Sequence, residues 1–209
     1  MFNFDSIKQD DSKMEYNSKG VLNSLFRTRN LLLTPKREWE RIAPENSTTK
    51  ELFRNFSFPV IALCAIIAAG GSYIHTKDVL IAGSKLFVDF LALNLGLYCA
   101  AKLIILLAPN FQLQIDEVVI FKLVIYSAST FCAFHGLAQL FTPFSFLNQI
   151  CLLLELYFIR ILWLGISSIL PIASNKRPGF TVMASLLILV LPLIFERMFS
   201  ILFRLPLTI

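Results

Sequence analysis

LFVDFLALNLGLYCAAKLIILLA, residues 86–108, holds only two charged side chains, Asp89 and Lys102, in 23 positions. A bilayer core about 30 Å thick needs roughly 20 mostly apolar residues in a helix. This stretch is long enough and apolar enough to cross one. Four more stretches read the same way: residues 57–73, 118–140, 146–170 and 180–203. The predicted fold class is therefore all-α, a polytopic transmembrane bundle of about five spans preceded by interfacial amphipathic helices. Short turn-like segments separate the spans: His75-Thr76-Lys77-Asp78, Pro109-Asn110, Thr142-Pro143 and residues 174–179. Pro171 favours ending the fourth helix. The fifth span is the least regular, because Glu196-Arg197 and Pro206 interrupt its apolar run.

Composition agrees with lipid. Of the 209 residues, 56% are hydrophobic and 16% charged, and mean hydropathy is +0.68; soluble domains run nearer a quarter charged. Charge is concentrated early, with ten of 19 Lys and Arg and eight of 14 Asp and Glu before Ser57. The first twenty residues are polar, without the apolar core of a signal peptide, so targeting is expected from an uncleaved span. The net charge of +5 fits the positive-inside rule and anionic headgroups better than nucleic acid. With the N-terminus in the cytoplasm, Lys50, Arg54, Lys102, Lys122, Lys176 and Arg177 gather inside. Lys77, Lys85, Arg197 and Arg204 then lie outside, together with Ile209.

Three regions follow. Residues 1–20 show no apolar period and read as disordered. Residues 21–56 form an amphipathic, interfacial helical segment, and residues 57–209 the five-helix membrane domain. Within the middle region, Val21, Leu22, Leu25, Phe26, Leu32 and Leu33 fall within roughly 140° of one another at helical spacing, with Asn23, Ser24, Arg27 and Asn30 facing away. That pattern fits a helix on the membrane surface or one packed against the bundle. Thr34-Pro35 restarts the chain as N-cap and first helical residue of a short helix over 35–42. Its Trp39 suits a headgroup-level anchor. Thr48-Thr49-Lys50-Glu51 is a capping box announcing the first span.

Charged groups within a bilayer are functional candidates by default, at about 2.5–3.5 kcal/mol each on insertion scales. Lys102 and Lys122 flank the second connection and read as topology anchors, as do Lys176 and Arg177 at the fourth. Asp89, His135 and the Glu196-Arg197 pair fall toward the outer face. Lys85, one turn before Asp89, offers it a local ion pair. Asp89, His135 and Glu196 have the residue types of a metal site but no spacing motif, so no metal or cofactor is expected. Glu155 and Arg160 are the deepest charges; projecting about 140° apart on one helix, each needs a partner elsewhere, as packing glue or on a polar path. Asn94, Ser127, Ser129, Thr130, Gln139, Asn148 and Gln149 are candidate interhelical hydrogen-bonders. Cys64, Cys99, Cys132 and Cys151 all lie in apolar runs without a CxxC pair and read as buried small residues. No GxSxG, HExxH, P-loop or paired intramembrane Asp motif is present, so no enzyme is expected.

Three segments carry a family resemblance. Residues 30–35 (NLLLTP) followed by 38–42 (EWERI), residues 124–130 (VIYSAST), and residues 157–165 (YFIRILWLG) resemble the entry, third-span and fourth-span stretches of the bacterial Yip (Ypt/Rab-interacting protein) domain family. Thr130 stands where a proline is common in that family. The resemblance covers roughly residues 27–203 and implies five spans, a cytoplasmic N-terminus and a bacterial inner-membrane location. Eukaryotic relatives act in vesicle trafficking with Rab-type GTPases and shape membranes, whereas bacterial members have no agreed activity. The expected function is thus a non-enzymatic membrane protein that organises lipid or partner proteins, with the bilayer, another copy or another membrane protein as its contacts. The alternative is a small transporter or channel for ions, protons or metals, using Glu155, Arg160, Asp89 and His135.

Overall fold

A computed structural model describes residues 21–203. The described residues are all-α, with no strand, in the order α1 (Val21–Leu33), α2 (Pro35–Ile42), α3 (Thr49–Thr76), α4 (Val79–Phe111), α5 (Glu117–Leu140), α6 (Ser145–Ile169) and α7 (Arg177–Leu202). Helices α3 to α7 are each long and apolar enough to cross a bilayer. The protein is polytopic. All five predicted spans appear: the first three lie inside longer helices, the fourth and fifth end one residue past theirs, and residues 1–20, read as disordered, lie outside the described residues.

Local chemistry sets the boundaries. The Thr48 hydroxyl accepts the Glu51 amide while the Glu51 carboxylate accepts the Thr48 amide, completing the predicted capping box. Asp78 caps α4 by accepting the Leu80 and Ile81 amides, and Asp116 caps α5 through Val118. Thr34 does not cap α2 as expected. Its hydroxyl donates back to the Asn30 carbonyl, and the helix instead starts on the preset φ of Pro35. Helix α3 contains a π-turn at Phe53–Ser57. Helix α6 is broken at Leu156 into halves Ser145–Glu155 and Tyr157–Ile169. Helix α7 runs unbroken through Pro192, so the weak fifth span is a single helix of 26 residues.

Helix α5 is the axis of the bundle: 78% of its apolar stretch is buried, against 33% for α7. Helices α3, α4 and both halves of α6 pack around it, and α7 lies against α4. The α4–α7 approach is close because position 96 is glycine, where a Cβ would come within 2.5 Å of the Pro192 backbone. Where lipid is the alternative solvent, small residues that let backbones approach replace the hydrophobic effect as the packing force. Leu22, Ile66, Leu106, Leu153, Leu186 and Ile201 are among the apolar side chains left on the outside. The bundle has an entry face, where α3 begins and α1 and α2 dock, and a far face at the α3–α4 and α5–α6 turns.

Candidate functional site

Two polar constellations stand out, one at each end of α5. At the entry face, α2 buries Pro35, Glu38, Trp39 and Ile42 and exposes the rest. Those positions are i, i+3, i+4 and i+7, one helical face. Trp39 is fully buried: its Nε1–H donates to the Ile161 carbonyl at 3.0 Å, and its ring meets Tyr126 edge-on with centroids 6.2 Å apart. Gly165 makes room for it, since a Cβ there would sit 2.6 Å from the indole. Trp39 is therefore a core residue and not the headgroup anchor its sequence position suggested. A charged helix such as α2 needs one large apolar side chain to hold it down, and the indole fills that role.

Helix α1 meets the bundle through its polar face, so of the two arrangements its periodicity allowed, packing by the apolar stripe is not the one adopted. Ser24, Arg27, Thr28 and Leu31 face inward, while Leu22, Phe26 and Leu33 are exposed at 72%, 55% and 67%. Polar atoms near the end of the bundle supply the reason. The Ser24 hydroxyl donates to the Asn55 carbonyl at 2.8 Å, inside the π-turn of α3. The Arg27 guanidinium makes a two-pronged pair with Glu45, donates to the Tyr126 hydroxyl at 2.5 Å and lies 3.8 Å from Glu38. Planar two-pronged pairing of this kind suits arginine and not lysine. The Asn30 amide also donates to Glu38, at 3.2 Å. Lys122 is buried too, its ammonium donating to the Glu45 carbonyl, so it ties α5 to the α2–α3 connection instead of reaching for headgroups. A groove of about 360 Å³ opens beside this clasp, lined by Asn23, Arg27, Glu45, Glu51, Asn55 and Tyr126.

In the far half of the bundle, four helices meet through charge. Lys85 on α4 reaches Asp89 at 2.8 Å and Glu196 on α7 at 2.7 Å. Glu196 lies 3.7 Å from His135 Nε2, and His135 Nδ1 is within hydrogen-bond distance of Glu155 on α6, at 3.2 Å. The local Lys85–Asp89 pair was legible from spacing; Glu196, His135 and Glu155 join it only in three dimensions. Both Asp89 oxygens are buried and lack a hydrogen bond, despite the ion contact.

The same geometry speaks against a metal at Asp89, His135 and Glu196. An ammonium already lies between the two carboxylates, and no group of three ligating side chains able to hold a metal occurs among the described residues. Nor do Glu155 and Arg160 form a deep pair. Glu155 is buried against His135, whereas Arg160 is exposed and lies over the Tyr157 ring at 5.6 Å.

Lys102 pairs with Glu117 at 2.7 Å, both largely exposed. Arg177 donates to the Ser167 hydroxyl and lies over Trp163, with Lys176 half-buried beside it. Arg197 is exposed on α7 next to Glu196. Asn148 bonds across helices, to the Ala138 carbonyl at 2.7 Å, but Asn94, Ser129 and Thr130 bond carbonyls of their own helices. Sequence reading missed Glu45, a loop carboxylate with no motif around it, although it receives both Arg27 and Lys122.

No family model, curated protein or solved structure matches this chain. The Yip resemblance therefore rests on its three short segments. They converge in space: Tyr126 contacts Trp39, Trp39 donates to Ile161 against Gly165, and the Tyr157 hydroxyl donates to the Leu32 carbonyl at 3.1 Å.

Proposed function

We propose that the protein is a non-enzymatic membrane organiser of the Yip type, holding an apolar surface helix in the cytoplasmic leaflet of a bacterial inner membrane. The observation that carries this reading is the orientation of α1. Its polar stripe is fastened to the bundle through Ser24 and Arg27, so Leu22, Phe26 and Leu33 are held outward at the end of the spans. An amphipathic helix fixed in this way inserts its apolar face into one leaflet without first paying to fold on the surface. The convergence of the three Yip-like segments on Trp39 supports the same reading, since the residues that resemble the family are those that dock α1 and α2. The basic residues Lys50, Arg54, Lys102, Lys176 and Arg177 near the entry face support a cytoplasmic N-terminus.

A small transporter or channel is the competing reading. The Lys85–Glu196–His135–Glu155 chain favours it, but a path needs water. The space bounded by Asp89, Phe131, His135, Pro192 and Glu196 has no room for a water molecule, and Arg160 lies outside the bundle.

Reconstitution distinguishes the two. Protein in liposomes should change vesicle size or cluster with copies of itself in crosslinking. Replacing Leu22, Phe26 and Leu33 by serine should abolish that effect and leave the bundle folded. Wild-type protein that stays monomeric, leaves vesicle size unchanged and passes ions or protons would overturn the organiser reading in favour of transport.

A further inference from the structure

Three carboxylates, Asp89, Glu155 and Glu196, share the far-half network with the fixed cation Lys85, and Arg197 adds a second cation on the exposed side of α7 next to Glu196. The other titratable neighbours are the thiols of Cys64 on α3, Cys132 on α5 and Cys151 on α6. With all three carboxylates ionised, one negative charge is left over inside an apolar bundle even after both cations are counted, and uncompensated buried charge is strongly unfavourable. A single proton closes the balance. Imidazole is the side chain whose charge ordinarily changes between about pH 5 and pH 8. His135 sits between two of the carboxylates, its Nδ1 3.2 Å from Glu155 and its Nε2 3.7 Å from Glu196.

The place of Glu155 in the fold gives that proton something to do. Glu155 is the last residue of the N-terminal half of α6, immediately before the break at Leu156. That half-helix buries only two side chains, Cys151 and Glu155, and one further hydrogen bond, from Asn148 to the Ala138 carbonyl, ties it to α5. Phe146, Leu152, Leu153 and Leu154 face outward. The His135–Glu155 contact is thus one of two side-chain polar ties that join residues 145–155 to α5, beside the packing of the two helices. With the proton present, it is an ion pair within a neutral network. With the proton gone, Glu155 is an unbalanced carboxylate beside a neutral ring, and the break at Leu156 lets this half-helix move without disturbing Tyr157–Ile169.

We propose that the His135–Glu155 pair, set in the Lys85–Asp89–Glu196 network, is a binding site for one exchangeable proton, and that this proton holds residues 145–155 against α5. This goes beyond the organiser reading, which concerns the other end of the molecule.

Full-length protein in nanodiscs, labelled with ¹⁵N-histidine, tests it. His75 is exposed at the end of α3 and serves as the internal reference. The His135 ring should titrate between about pH 5 and pH 8, and His135→Gln identifies its signal. Hydrogen-exchange protection of amides 145–155, corrected for the pH dependence of intrinsic exchange, should fall about tenfold or more as the proton leaves, the free-energy equivalent of one pKa unit. Protection of α4 should not change. In Glu155→Gln, which carries no charge, protection of 145–155 should be independent of pH. The proposal is overturned if His135 stays in one protonation state over that range. It is equally overturned if protection does not follow the titration, or if its pH dependence persists in Glu155→Gln.

Discussion

Replacing Trp39 by alanine removes the largest side chain with which α2, otherwise charged, holds on to the bundle. A fully buried indole removes about 150–250 Å² from solvent, which at ~25 cal/mol per Å² is an upper bound of about 4–6 kcal/mol. The area term applies here because α2 lies outside the spans. When undocked, it goes to water or headgroups, whereas a side chain within a span would merely exchange protein for lipid. Measured Trp→Ala losses in cores run at about 3–5 kcal/mol, and that is the expected cost of docking. Trp39→Phe keeps most of the packing but loses the N–H that donates to Ile161, for about 1 kcal/mol. Limited proteolysis of the 43–48 connection under native conditions reports the population with α2 undocked. At 1.36 kcal/mol per tenfold, alanine should raise cleavage by about two orders of magnitude or more and phenylalanine by about fivefold. Cleavage rates for both variants within twofold of wild type would refute the buried placement, because that is how a headgroup anchor outside the bundle behaves.

Other perturbations separate the remaining contacts. Lys85→Met should destabilise the folded protein by about 3–5 kcal/mol in detergent unfolding, since it strands Asp89 and Glu196 without their cation; Lys102→Ala, which breaks an exposed pair, should cost less than about 1 kcal/mol. Gly165→Ala should destabilise by about 1–3 kcal/mol because its methyl meets the indole. Gly70→Ala, with open space around it, should stabilise by about 0.5–1 kcal/mol, as read by thermal unfolding in the same detergent. Arg27→Lys keeps the charge but not the two-pronged geometry, and should increase proteolysis at the 43–48 connection where Lys36→Arg, on the exposed face of α2, does not.

The spans were legible because lipid imposes a length and a polarity that any 20-residue window reports. The Thr48–Glu51 box and the Lys85–Asp89 pair were legible because they are local. The orientation of α1 was not. Helical periodicity identifies the apolar stripe but not which side faces protein; at a membrane surface the apolar side is solvated by lipid, and the polar side can then be satisfied by Asn55, Glu45 and Tyr126. Residue type alone points Trp39 to the headgroups, whereas the helical spacing of Pro35, Glu38, Trp39 and Ile42 marks the face that is buried. The break at Leu156 has no proline or glycine to announce it. The link from Lys85 to Glu196, 111 residues apart, belongs to helix packing that no local pattern records.

The orientation of α1 is most directly measured by spin labels placed singly at positions 22, 26, 33, 24, 28 and 31 of a cysteine-free variant in nanodiscs. Labels at 22, 26 and 33 should collide with lipid-dissolved oxygen and be shielded from a water-soluble relaxant, while labels at 24, 28 and 31 should be shielded from both. Labels at 24 and 28 open to the aqueous relaxant, with 22, 26 and 33 shielded from lipid, would show that α1 packs its apolar face inward and that the proposed membrane-inserting surface does not exist.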